Sequence, residues 1–215
     1  MSFSKQEYIF SYDDIKNSLL FLSKLKISNI LYSIGDNMKY IVLLRGINIS
    51  GKNKISMSEL KVELSNYYED VITYINSGNI ILNSNKTESD IITDINMIIK
   101  NKFNLDIPIF VIKYEDLVDI IDNSPDWWGT SDKKIYDNLI FMDNNIDFKT
   151  LCSVVGKPSP NIDKIKNYKN VVFWSFSLDN YRKSTWWCNS ASTRIKDNIT
   201  IRTSNTIRKL IELGK

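Results

Sequence analysis

Leu43 to Asn53 reads LLRGINISGKN, and Gly46 to Lys52 fits the spacing G-x-x-x-x-G-K that opens a phosphate-binding P-loop. That motif needs a hydroxyl after its lysine to hold magnesium, a helix that starts at the lysine, and a parallel sheet that supplies a further carboxylate. Here Asn53 replaces the hydroxyl, and Lys52 lies before Ser56, the residue expected to cap the next helix. No apolar strand ends in a suitable Asp. A nucleotide-hydrolysing P-loop is therefore excluded. Two readings are left for Arg45, Asn48, Gly51, Lys52 and Asn53. One is an anion nest, in which backbone amides and two cations converge where a strand leaves its sheet. The other is a shaped turn whose Asn and Gly accept positive φ, with Arg45 bonded to a neighbouring carbonyl.

Other chemistry is bounded by what the chain lacks. It contains no histidine, so Ser-His-Asp and Cys-His nucleophilic schemes and HExxH zinc sites are closed to it. Cys152 and Cys188 have no CxxC spacing and read as buried thiols. No metal-ligand pattern is present, and no cofactor is readable. Asn76-Ser77-Gly78-Asn79 reads as a hairpin turn whose Ser77 and Asn79 side chains stand at one edge of the sheet. Toward the end of the chain, Tyr181 to Lys215 carries eight cations against two carboxylates. Arg194, Arg202, Asn205, Thr206 and Arg208 cluster around its last strand and helix, where Thr203 or Ser204 can cap a helix able to hold phosphate. A solvated basic face is the plainer reading. Trp127-Trp128 and Trp186-Trp187 suit inter-domain packing better than base stacking.

The elements that must position these groups follow from periodicity. In 215 residues, 43% are apolar and 25% charged, which suits one large or two small globular domains. No apolar run approaches a membrane span, and the start lacks the pattern of a signal peptide, so a cytoplasmic location with no membrane contact is expected. Residues 1–37 carry one amphipathic helix, broken at Gly35, and read as an N-terminal extension. From Met38 the order is strand Tyr40 to Arg45, a helix with Met57, Leu60, Leu64 and Tyr67 inward, strands Val71 to Ile75 and Ile80 to Leu82, a helix capped by Thr87, and strand Ile107 to Lys113. This is βαββαβ, the ferredoxin-like order. Residues 114–137 form a connecting helix and loop, and 138–215 repeat the order: strand Asn138 to Met142, helix Phe148 to Val155, strands Ile162 to Ile165 and Val171 to Phe176, a helix around Ser184 to Ile195, and strand Ile199 to Arg202, with a last helix Thr203 to Leu213. The expected fold is α+β, with two ferredoxin-like halves (38–113 and 138–215), a C-terminal helix and an extra N-terminal helix. RNA-recognition modules share the order, but Ile41 to Leu44 and Ile80 to Leu82 carry no aromatics for bases.

The runs YIVLLRGINISGKNKISMSEL, VITYINSGNIIL, PDWWG with YDNLIFM, SASTRI and TIRTSNTIRKL, in that order, resemble a bacterial family filed as domain of unknown function 1697 (DUF1697). The resemblance covers about residues 38–215 and implies no activity. The chain departs from the family pattern at Ser50-Gly51, commonly Gly-Gly, and at Tyr136-Asp137, often Arg-His. The leading expectation is a protein that binds a small phosphorylated or anionic ligand, or nucleic acid, through the strand-one loop and the basic C-terminal segment. A histidine-free enzyme acting on a phosphorylated substrate, with Arg45 and Lys52 as electrostatic stabilisers, and a structural adaptor are the alternatives.

Overall fold

The computed structural model describes residues 37–190 and 195–215, and Met38–Lys215 forms one compact unit. The expected N-terminal helix and Arg194 lie outside the described residues. The first half runs β1 (Met38–Leu44), α1 (Met57–Leu64), β2 (Glu69–Tyr74), β3 (Asn79–Ser84), α2 (Glu88–Phe103) and β4 (Ile109–Lys113). All its pairings are antiparallel, in the order β2-β3-β1-β4. After α3 (Tyr114–Asp122) the second half repeats the pattern with β5 (Ile135–Met142), α4 (Phe148–Val155), β6 (Asp163–Tyr168), β7 (Val171–Ser177), α5 (Thr185–Ser190) and β8 (Ile199–Thr203). Its order is β6-β7-β5-β8, also antiparallel, and α6 (Ser204–Gly214) closes the chain. The α+β fold of two βαββαβ-like units is as the periodicity predicts.

Helix starts are set by short polar side chains that satisfy otherwise orphaned amides. Thr87 and Asp90 cap α2 reciprocally, Asp147 accepts from the Thr150 amide at α4, and Thr203 accepts from the Thr206 amide at α6. At α1 the Ser56 hydroxyl accepts from the Glu59 amide, half of the expected capping box. Alternation along the strands then sorts side chains into three apolar layers. Tyr40, Val42 and Leu44 of β1 pack under α1 and α2 with Leu60, Leu64, Ile91 and Ile95. Ile140, Val172 and Trp174 pack under the second pair of helices with Leu151, Val155 and Trp186. Between the sheets, Ile41, Leu43, Ile81 and Phe110 meet Leu139, Phe141 and Phe173, joined by Leu117, Ile120, Trp128, Ile207 and Leu210. Both faces of β1 and β3 are thus buried.

Two local expectations, an inward Tyr67 and buried cysteines, fail. Tyr67 is exposed, because α1 stops at Leu64 and the chain turns before completing another helical turn. The helix expected around Ser184 to Ile195 is present as α5, Thr185–Ser190, preceded by a 3₁₀ turn, Leu178–Lys183, and the rest of its expected span, 191–194, lies outside the described residues. Cys188 is exposed and Cys152 half-buried, both as free thiols.

Candidate functional site

The last residues of β1 are bonded on both sides, Leu44 N–H to the Gly78 carbonyl at 2.8 Å and Arg45 N–H to the Pro108 carbonyl at 3.0 Å. Gly46, at φ +68°, then turns the chain out of the sheet. Asn48, Ser50, Gly51 and Asn53 all take positive φ, a run that asparagine and glycine tolerate. The loop is held by its own asparagines. Asn48 donates Nδ2 to the Ile55 and Asn76 carbonyls, both at 2.9 Å, and accepts from the Ile55 amide at 2.9 Å. Asn53 donates Nδ2 to the Gly46 carbonyl at 3.0 Å. These two side chains are spent on shaping the loop and tying it to the hairpin turn. Lys52 bridges back to Ile49 through its backbone and is exposed, with no side-chain partner among the described residues.

The hairpin turn lies directly against β1. A Cβ built on Gly78, at φ +78°, would stand 2.6 Å from the Leu44 Cβ, so the close approach requires glycine. Asn79 is fully buried and donates Nδ2 to the Tyr74 carbonyl at 3.1 Å and to the Ser77 hydroxyl at 3.0 Å. Its Oδ1 accepts from Arg202 Nε at 2.5 Å. Arg202, only 7% exposed, comes from β8 in the other half. It donates Nη1 to Thr200 Oγ1 and the Ile201 carbonyl, both at 2.9 Å, and Nη2 to the carbonyls of Leu44, Ser77 and Gly78 at 2.8, 3.0 and 3.2 Å. A guanidinium has five N–H donors. All are directed at protein acceptors, so Arg202 has none left for a ligand. Every acceptor is neutral, and among the described residues no counter-ion pairs with the buried charge.

Arg45 is different. By strand alternation it lies on the inter-sheet face with Ile41 and Leu43, half-buried. Its side chain makes no hydrogen bond and no ion pair among the described residues, so the expected bond to a neighbouring carbonyl is absent. Burial lowers the Arg45 pKa, opposed by Asp197, which stands in the exposed turn before β8 beyond ion-pair contact. Burial, and then the like charge of Arg45, pull the Arg202 guanidinium down to about 10, still a cation at neutral pH. Two cations therefore share the seam between the halves, one saturated by neutral acceptors and one without a side-chain partner among the described residues.

The structure brings Arg45, Asn48, Ser77, Asn79 and Arg202 together at the end of β1, with Gly51, Lys52 and Asn53 in the adjoining loop. The C-terminal candidates are dispersed. Asn205 is exposed on the first turn of α6, and Thr206 is buried with its amide and hydroxyl against Thr203. Arg208 donates to the Gly129 carbonyl, and Lys209 pairs with Glu212 at 2.7 Å. Trp128 and Trp186 are buried, their indole N–H groups bonded to the Asn138 and Gly156 carbonyls, while Trp187 is half exposed. Asp197 was not singled out from the sequence. Its only signal is its place in the turn ahead of β8, in register with nothing near Arg45. Among the described residues, no group of His, Cys, Asp or Glu could hold a metal ion, and no helix is long and apolar enough to cross a membrane.

Residues 38–173 match the family model described as "Protein of unknown function (DUF1697)". Among solved structures, the chain is similar to one titled "The structure of conserved bacterial protein SP0830 from Streptococcus pneumoniae", at 27% identity and a TM-score of 0.73. The match covers 83% of this chain and 99% of that one. Among curated proteins nothing matches.

Proposed function

We propose that this chain, which belongs to the DUF1697 family, binds a small phosphorylated or other anionic ligand at Arg45, where β1 leaves the sheet. The observation that carries the reading is the half-buried Arg45 guanidinium, without a side-chain partner among the described residues, beside Arg202, whose acceptors are all neutral. A cation taken partly out of water without a counter-charge is costly, and an anion there offsets the cost for both arginines. The Arg45 fork suits two phosphate oxygens, and Ser77 Oγ, which accepts from Asn79, keeps its own proton to donate. Lys52 adds charge from the loop. A small anion fits better than nucleic acid, which requires a spread of free cations along a backbone. In the C-terminal segment Arg202, Arg208 and Lys209 are already committed to protein acceptors.

Thermal unfolding with inorganic phosphate, ribose 5-phosphate and a short oligonucleotide tests this. A ligand at about ten times its Kd adds about 1.4 kcal/mol, or about 3 to 6 °C for a domain of this size. The expected result is a rise in Tm with phosphate or the sugar phosphate that Arg45→Ala removes. A response to the oligonucleotide alone, or one equal in parent and variant, overturns the reading.

A further inference from the structure

A second feature lies on the free edge of the first sheet. In the antiparallel ladder between β1 and β4, residues alternate between facing their partner strand and facing away. Arg45 bonds to Pro108 and Leu44 to Gly78, so Arg45, Leu43 and Ile41 turn their backbone groups to β4 while Leu44, Val42 and Tyr40 turn theirs to β3. The partners of the second set across β4 are Ile109, Val111 and Lys113, whose N–H and C=O groups must therefore point outward. The Lys113 N–H is directed at the Glu88 carboxylate. Those of Ile109 and Val111 have no partner among the described residues. Unpaired edge groups of this kind are a template for another strand.

Along this edge runs a groove of about 830 Å³ lined by the whole of β4. Its floor includes Leu43, Phe110, Ile120, Phe141 and Val171, all from the inter-sheet layer, so the groove is an opening into the apolar core between the halves. The rim carries three lysines and three carboxylates. Lys86 is paired with Asp94 at 2.6 Å, and Lys169 with Asp119 at 2.8 Å, reaching Asp116 only at 3.8 Å. Asp94 and Asp119 do not line the groove. With Asp94 and Asp119 counted beside the lysines they pair, three lysines stand against five carboxylates, of which Asp143 is held by the neutral donors Asn145 and Asn198. The rim is net acidic. Burial first, and Asp116 second, raise the Glu88 pKa against the opposing charge and amide of Lys113.

We propose that this groove docks an extended segment of a partner protein that alternates basic and apolar residues, added to the first sheet as a strand beside β4. The main chain of the segment pairs with Ile109 and Val111, one set of side chains fills the floor between the sheets, and the other sets its cations against Glu88 and Asp116. The observations are independent of Arg45.

The test uses the full chain and two fluorescein-labelled synthetic peptides, one alternating lysine with valine and one alternating glutamate with valine, read by fluorescence anisotropy. The lysine peptide is expected to bind at least about tenfold more tightly than the glutamate peptide, with affinity falling as salt rises. The double variant Glu88→Gln, Asp116→Asn is expected to erase most of that preference. Val111→Pro removes an outward N–H, a position where an edge strand tolerates proline, and is expected to abolish binding. Hydrogen exchange on the parent protein is the second reading, with the Ile109 and Val111 amides slowed when the lysine peptide is present. The proposal is overturned if neither peptide binds, if both bind equally, or if the lysine peptide binds without slowing those two amides.

Discussion

Leu44 in β1 and Met142 in β5 occupy matching places in the two halves, each donating its N–H to the neighbouring hairpin, to Gly78 at 2.8 Å and to Asn170 at 3.0 Å. The next residues match as well: Arg45 bonds to Pro108 at 3.0 Å, and Asp143 bonds to Asn198 at 2.9 Å. One fold position thus carries a cation in the first half and a carboxylate in the second. The carboxylate is satisfied, accepting from the Asn145 amide and from the Asn145 and Asn198 side chains, each at 2.9 Å. It closes a short connection to α4. The cation opens a longer loop with four positions at positive φ beyond Gly46, and its side chain has no acceptor among the described residues. What the difference teaches is that the topology needs no charge at this point. A satisfied charge there is part of the turn, and an unsatisfied one is available to something else.

The comparison is broken most severely by removing what the second half lends to the first. Arg202→Ala strands the Leu44 and Ser77 carbonyls and Asn79 Oδ1 in a buried seam, and should cost about 3 to 5 kcal/mol in urea unfolding. A loss below about 1 kcal/mol would mean the seam is wet and Arg202 is no strut. Next in size is Gly78→Ala, which forces a Cβ into Leu44 at positive φ, at about 2 to 3 kcal/mol by the same measurement. Asn170, at the matching place in the second half, is exposed, and its replacement by alanine should change stability by less than about 0.5 kcal/mol.

Smaller changes sharpen the contrast between the two charges. Asp143→Ala removes three accepted hydrogen bonds at a half-buried site and should lower stability by about 1 kcal/mol, with no effect on the response to phosphate. Arg45→Ala should change stability by no more than about 0.5 kcal/mol, tending toward a gain because a like charge beside Arg202 is removed. Its expected consequence is loss of the rise in Tm with phosphate. Should Arg45→Ala destabilise the chain as much as Asp143→Ala does, the two positions are equivalent structural residues and the asymmetry has no functional content.

Much of this architecture was legible in the sequence. Short apolar runs placed β1, β3, β5 and β7, and the cap residues Thr87 and Thr203 marked the starts of α2 and α6, because these signals act between near neighbours in the chain. They fail where a helix stops early, as at Tyr67. The position of Arg45 at a strand end, and the shaped loop after it, were likewise readable. The fates of the two arginines were not. Arg202 and Asn79 lie 123 residues apart, and nothing local to either announces their bond. Whether a cation is a strut or a free donor depends on how many acceptors converge on it, and that number is set by the packing of one half against the other. The sequence by itself determined the elements, their order and which residues could carry charge to the end of β1. The tertiary structure decided that Arg202 is spent and Arg45 is not, because burial and hydrogen-bond saturation are properties of a place in space rather than of a place in the chain.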